Sequence, residues 1–309
     1  MSVRGYPDRA LRLLLGFSPG SASDNLAQLI APGLALRLGQ QVIVERHPGE
    51  NGAIAARLAA RSAPDGYTLF MATFGTHAIA PHFRRDLSYH SLRDFAPVTL
   101  LARAPLVLAV HPGLPAATVG KLIEIARTRD TALTFASSAH GGAPHLAGEL
   151  FNLMAGVRMR HVRYDDTRKL YADLVAGRVS LSFNNVMSML PLLRDGKLRG
   201  LATTGRARLP VLPALPTLAE AGLAGYEVVN WLGIVAPAGT PREIIESLHA
   251  ETSALLHAGE IHECLSGQGV EPAGEGPDAF ALHIERELER WQPVIGRIAA
   301  ACAVPQQLR

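Results

Sequence analysis

Leu11-Arg12-Leu13-Leu14-Leu15-Gly16-Phe17-Ser18-Pro19-Gly20-Ser21-Ala22-Ser23-Asp24 joins an apolar run, a glycine turn and a cluster of small residues, after which Leu26, Leu29, Ile30, Leu34 and Leu38 recur at helical spacing. Strand, turn and helix in that order predict a βα unit, with a strand over Leu11 to Phe17 and a kink at Pro32-Gly33. The unit repeats outward. A strand over Gln41 to Glu45, a helix over Ala53 to Arg61 and a strand over Tyr67 to Thr73 follow, the last after the turn signal Pro64-Asp65-Gly66.

A second run of units begins with a strand at Leu106 to Val110 and a helix at Thr118 to Arg127. It continues with strands at Ala132 to Ala136, Arg160 to Val162, Val179 to Phe183 and Leu198 to Thr203, and a helix from Pro144 to Met154. Arg206 to Pro216 is proline-rich and predicts an irregular surface loop. After a strand at Trp231 to Pro237 the remainder is expected to be wholly helical, with Phe280, Ile284, Leu288, Trp291 and Ile295 forming one core-facing stripe.

The chain's 309 residues suit two domains of about 150 residues each. With 48% hydrophobic and 18% charged residues it can bury a sizeable core, which argues against disorder. No apolar run approaches the ~18 residues of a membrane helix. The net charge of +3 rests on 30 basic and 27 acidic residues, and the basic ones form no extended stripe, so nucleic acid is not an expected partner. Cys264 and Cys302 are the only cysteines and have no metal-type spacing; whether they pair is open. The N-terminus lacks a signal-peptide pattern, so either the chain is not exported or a leader has been removed from it.

Ligand sites in such sheets lie beyond the carboxyl ends of the strands. The loop Phe17 to Asp24 leads into a helix start, where free backbone N–H groups and the positive dipole end suit a carboxylate or phosphate; the same pattern also describes an ordinary N-capped turn. It contains neither nucleotide-binding glycine motif. Gly16-Phe17-Ser18-Pro19-Gly20 formally matches G-x-S-x-G, which raises a serine hydrolase using Ser18. Against it, the residue after the nucleophile must donate its N–H to the oxyanion, and Pro19 has none. The loops Thr73 to His77 and Ser137 to Gly142 also follow strands and offer hydroxyls and backbone donors. His140, His145 and Glu149 fit no zinc motif, so no metal is expected, and nothing calls for a cofactor. Asp165-Asp166 and Asn184-Asn185 follow two further strands and are candidates for a ligand's polar groups, although an acid pair there also suits a helix cap.

The segments FSPGSASD, LGQQVIVERHPGENG, PDGYTLF, THAIAP, RDFAPVTLLARAPLVLAVHP, HLAGELF, GKLRGLATT, LPTLAEAG and APAGTP occur in an order that resembles the substrate-binding receptors of tripartite tricarboxylate transporters, the Bug-type family. The resemblance covers nearly the whole chain. It implies an α/β, periplasmic-binding-protein-like fold with two lobes joined by crossing strands, a Venus flytrap. Lobe I would comprise residues 1–103 and 230–309, and lobe II residues 104–229. It further implies a periplasmic, monomeric, non-enzymatic receptor that takes a small organic carboxylate to membrane transporter subunits, or an orphan sensor acting through a protein partner.

Carried over from the family, the anion cradle comprises Gly20, Ser21, Ala22 and Ser23, with Thr73, Thr76 and His77 beside it. Ser137, Ser138, Gly141, Tyr164, Asp166 and Asn184 would close from the second lobe. The chain departs from the family where PGGATD becomes Pro19 to Asp24, where Tyr-Lys-Gly becomes Tyr164-Asp165-Asp166, and where Phe-Asp becomes Phe183-Asn184. The acids at Asp165 and Asp166 leave two readings open, a ligand with an amino group or a plain helix cap.

Overall fold

A computed structural model describes residues 5–83, 86–128, 133–138 and 141–303, with side chains described as far as residue 298. The first run of elements is β1 (Leu11–Leu15), α1 (Ala22–Leu38), β2 (Val42–Arg46), α2 (Ala53–Ala60), β3 (Thr68–Thr73), a π-helical segment (Phe74–Ile79) and α3 (Ala80–Phe83). Leu11, Leu13, Leu14 and Leu15 are all fully buried, because a central parallel strand is covered on both faces. β1 ends at Leu15, two residues before the expected Phe17, and the released Gly16 passes so near the Gly52 backbone that a Cβ would lie 2.5 Å from it. α1 starts at Ser21, whose hydroxyl accepts from the Asp24 N–H, and stops at left-handed Gly39. It runs unbroken through Pro32, and Gly33 leaves room for Leu255.

β4 (Phe95–Val110) is far longer than the predicted Leu106 to Val110. Pro97 and Pro105 read locally as strand breakers, but register shifts beside Pro97 absorb the lost donor, and long-range pairing carries the strand on. Then follow α4 (Val119–Thr128), β5 (Thr134–Ser137), α5 (Ala143–Ala155), β6 (Arg160–Arg163), α6 (Thr167–Val175), β7 (Leu181–Asn185), α7 (Val186–Arg194), β8 (Arg199–Thr203) and β9 (Val229–Pro237). The chain closes with α8 (Arg242–Leu256), α9 (Gly259–Gly267), β10 (Glu271–Glu275) and α10 (Pro277–Ala303). β10 corrects the expectation of a wholly helical tail. Glu-Pro-Ala-Gly-Glu carries no strand signature and is extended only because it pairs antiparallel with β4.

The strand order is β2-β1-β3-β9-β4-β7-β5-β6, with β8 and β10 also pairing β4. β1 is parallel to β2 and β3, and β5 is parallel to β6 and β7. β4 is antiparallel to its neighbours and changes partner along its length: Phe95 to Pro105 lie against β9, while Leu106 to Val110 lie against β7 and β8. The chain therefore leaves the first α/β lobe on β4 and returns on β9. In α10, Phe280, Ile284, Trp291 and Ile295 are buried as the stripe predicts, each contributing roughly 1.5–3 kcal/mol by leaving water. Trp291 meets Phe74 edge-on at 5.1 Å, and Phe280 meets Trp231 at 5.6 Å.

Candidate functional site

Parallel strands place their carboxyl ends, and the amino ends of the helices that follow, along one edge of each lobe. The two edges face each other here. The N-terminal residues of α1, α5 and α6, and Asn185 at the cap of α7, all border one cleft between the lobes whose empty space, open to solvent, is about 520 Å³. Its wall includes Gly20, Ser21, Ala22, Ser23 and Thr73 from the first lobe, Ser138, Gly142, Thr167, Tyr171, Asn184 and Asn185 from the second, and Asn230 and Leu232 from β9. Among the described lining residues there is no Asp, Glu, Lys, Arg or His. The lobes meet closely at this edge: a Cβ on Gly75 would lie 3.6 Å from the Gly142 Cα, and one on Gly141 would lie 3.4 Å from the Asn51 Nδ2.

The first-lobe loop is fastened from behind. Asp24 is buried and accepts from the Gly20 N–H at 2.9 Å, while Arg46 holds its other oxygen at 2.6 Å. The Ser21 N–H donates to the Ser18 carbonyl at 3.2 Å, and the Ser21 hydroxyl accepts from the Asp24 N–H. Gly20 and Ser21 thus shape the turn, and the Ala22 and Ser23 N–H groups head α1 without intrahelical acceptors. Arg46 was missed in the sequence: it falls within the segment LGQQVIVERHPGENG, but only the fold brings that strand end to Asp24.

Thr73 caps the π-helical segment: its hydroxyl accepts from the Thr76 N–H, and its own N–H donates to the Thr76 hydroxyl. Thr76 and His77 do not reach the cleft and are fully buried beneath it. His77 packs among Phe70, Tyr89 and Phe95, its Nδ1 is 3.0 Å from the Thr76 hydroxyl, and its Nε2 has no partner. Burial pushes its pKa down to about 3, so it stays neutral.

On the second lobe the structure brings Ser138 and Asn184 to the cleft but places four expected residues elsewhere. Ser137 is fully buried, with its hydroxyl 2.7 Å from the His161 Nε2. The Tyr164 hydroxyl donates to Asp173 at 2.9 Å, away from the cleft. Asp166 caps α6, accepting from the Arg168 N–H at 2.8 Å, a bond that holds its carboxyl below the usual range. Gly141 borders an adjoining outer cavity of about 1370 Å³, together with Ser18, Asn51, Arg163 and Asp165. Asp165 pairs with Arg163 at 2.8 Å. His140 lies outside the described residues.

Asn185, paired with Asn184 as a candidate in the sequence, does border the cleft. Thr167 and Tyr171 were missed although each lies within five residues of Asp166; only the helix that follows Asp166 decides that they share a face. Asn230 had no local signal at all, because a crossing strand delivers it. Ser18 lines the outer cavity, and no histidine among the described residues hydrogen-bonds its hydroxyl. Cys264 is a free thiol accepting from Gln268 at 3.2 Å, while the side chain of Cys302 lies outside the described residues. Among the described residues, no three His, Cys, Asp or Glu side chains gather as a metal would need, and no helix is long and apolar enough to cross a membrane.

Comparison with known proteins agrees with this architecture. A family model described as the tripartite tricarboxylate transporter family receptor matches residues 26–300. Protein BugT of Bordetella pertussis is 32% identical over 301 residues, covering 97% of this chain and 92% of its own. A solved Rhodopseudomonas palustris protein, Rpa4515 with adipate, superposes with a TM-score of 0.92 at 39% identity, covering 95% of this chain and 98% of its own. MatC from the same organism, with bound malate, gives 0.88 at 30% identity, covering 94% and 100%.

Proposed function

The chain belongs to the tripartite tricarboxylate transporter receptor family, and from that premise we propose that it is a periplasmic, non-catalytic receptor for a small organic carboxylate. Its two lobes, divided at residues 103/104 and 229/230, close on the ligand and present it to the membrane subunits of such a transporter.

One observation carries this reading: four helix N-termini converge on a cleft whose described lining holds no charged side chain. An anion enclosed there is stabilised by backbone dipoles worth roughly 0.3–1 kcal/mol per helix end. Each N–H bond to a charged oxygen adds about 1.5–3 kcal/mol. Ala22 and Ser23 at the head of α1 supply such donors for one carboxylate. Because the donors belong to different lobes, the ligand favours the closed arrangement over the open one, which is the differential affinity a transport signal requires. The carboxylates bound by Rpa4515 and MatC support the same ligand class.

The test is a thermal-shift and calorimetric panel of organic acids against ligand-stripped protein. At least one acid is expected to raise the melting temperature and bind stoichiometrically. No response to any acid would overturn the proposal.

A further inference from the structure

Resting on the carboxylate reading above, we infer that the second-lobe wall of the cleft holds a second carboxylate of the ligand, with Asn184 as the residue that selects it. The ligand is a dicarboxylate that carries no amino group.

The argument starts from three side-chain amides in series. The Asn230 Nδ2 donates to the Asn185 Oδ1 at 3.2 Å, and the Asn185 Nδ2 donates to the Asn184 Oδ1 at 3.4 Å. The Asn184 Oδ1 also accepts from the Asn185 backbone N–H at 2.9 Å. These bonds fix the orientation of Asn184, since a flipped amide would set donor against donor. The series therefore ends in a donor. Asn184 borders the cleft, and its Nδ2 is buried with no partner among the described residues.

Thr167 stands in the same condition. It is 4% exposed, it opens α6, and its Oγ1 has no partner. Tyr171, one turn along α6, borders the same cleft with its phenol held protonated by burial. A native fold rarely leaves several buried donors unmet, so a group that accepts from several directions belongs among them. A carboxylate has two oxygens and about four lone-pair sites. The N-termini of α6 and α7 at the same wall favour its negative charge.

An ammonium group is refused by the same geometry. Of the two acids suggested by the sequence, Asp166 caps its own helix and Asp165 pairs with Arg163 at the outer cavity. Neither borders the inner cleft. At the first-lobe end Asp24 is already held by Arg46 and Gly20. A cationic group at either end would face N–H donors and a positive dipole.

The experiment is calorimetry on ligand-stripped full-length protein with matched probes: succinate, aspartate and butyrate, then adipate, 2-aminoadipate and hexanoate. In at least one set the dicarboxylate is expected to bind about tenfold or more tighter than its aminated and monocarboxylate counterparts. Asn184→Asp keeps the acceptor that Asn185 needs but turns the terminal donor into an anion. It is expected to weaken the dicarboxylate about tenfold or more and to narrow or reverse the preference over the aminated acid. Thr167→Val and Tyr171→Phe, which keep the shape of the wall, should each weaken the dicarboxylate by roughly three- to tenfold and so narrow its lead over the monocarboxylate. These two variants also decide the matter if Asn184→Asp does not fold. Carboxylate binding in which an aminated or monocarboxylate probe equals the dicarboxylate in every set that binds would overturn the assignment and leave the carboxylate receptor standing. Binding of no acid in any set would bring down the carboxylate reading, and the assignment with it.

Discussion

The two faces of the crossing strands make a sharp contrast. Along β9, Asn230 and Leu232 border the ligand cleft, whereas Val229 and Trp231 border a larger cavity of about 1870 Å³ on the other side, as the strand's alternation requires. The rear cavity is lined by Arg103, Arg206, Arg208, Arg286 and Arg290, with Glu227, Glu271 and Glu287. The cleft, by contrast, shows no charged side chain among its described lining residues. Counting arginines would have placed the anion site at the rear. Yet most of those cations are answered already: Arg103 by Glu275 at 2.6 Å, Arg206 by Glu227 at 2.9 Å, Arg208 by Glu220 at 2.9 Å and Arg290 by Glu227 at 3.1 Å. The front has uncommitted backbone and amide donors. The proposed anion site at the front rests on the availability of donors, more than on the density of charge.

The contrast breaks most severely at the strand that separates the two faces. A Cβ at Gly233 would lie 2.3 Å from the Phe280 ring and 2.8 Å from the Thr99 carbonyl oxygen. Gly233→Val is expected to cost about 3 kcal/mol or more, read as a lowered denaturation midpoint, and to impair both faces together.

Ala22→Pro tests the front alone. Proline is tolerated at the first helical position, and the extended Ser21 before it suits that residue, but one cradle N–H disappears. Carboxylate affinity should fall by roughly 2 kcal/mol, with a small change in melting temperature. Unchanged affinity would remove the head of α1 from the site.

One buried group on each side of the strands should make stability respond to pH with opposite sign. His77, beneath the cleft, has its pKa pushed down by burial to about 3, against the ordinary 6.5. The unfolded chain alone takes up that proton between these values, so this contribution to stability is present above pH 6.5 and lost as pH falls, by at most about 1.4 kcal/mol per pH unit. His77→Phe should flatten the acid side of the stability profile. Glu287, behind the strands, has its pKa raised above 4.5 by burial. The folded chain then holds a proton that the unfolded chain has released, and stability falls as pH rises through that window. Glu287→Gln should remove that decline. Melting curves across pH check both signs.

The smallest effect is expected from Arg286→Gln, on the rear wall. Carboxylate affinity should stay within about 0.5 kcal/mol, since the substitution is on the surface and away from the cleft. A large loss would return the anion site to the arginines.

The repeating βα units, the loop from Phe17 to Asp24 and the core stripe of α10 are legible in the residues alone, because periodicity and turn chemistry act over a few residues. So is the place of Asn184 at the end of a strand. The full course of β4 past Pro97 and Pro105, and the existence of β10, were decided by partners far away in the chain, whose hydrogen bonds outweigh weak local preference. The same reason explains the site. Thr76 and His77 adjoin Thr73 in sequence but turn beneath the cleft, whereas Asn230 is delivered to it by a returning strand and orients Asn184 through Asn185. Spacing locates a donor on an element. Only tertiary packing decides which side of the sheet it faces, and whether another residue has already taken its hydrogen bond.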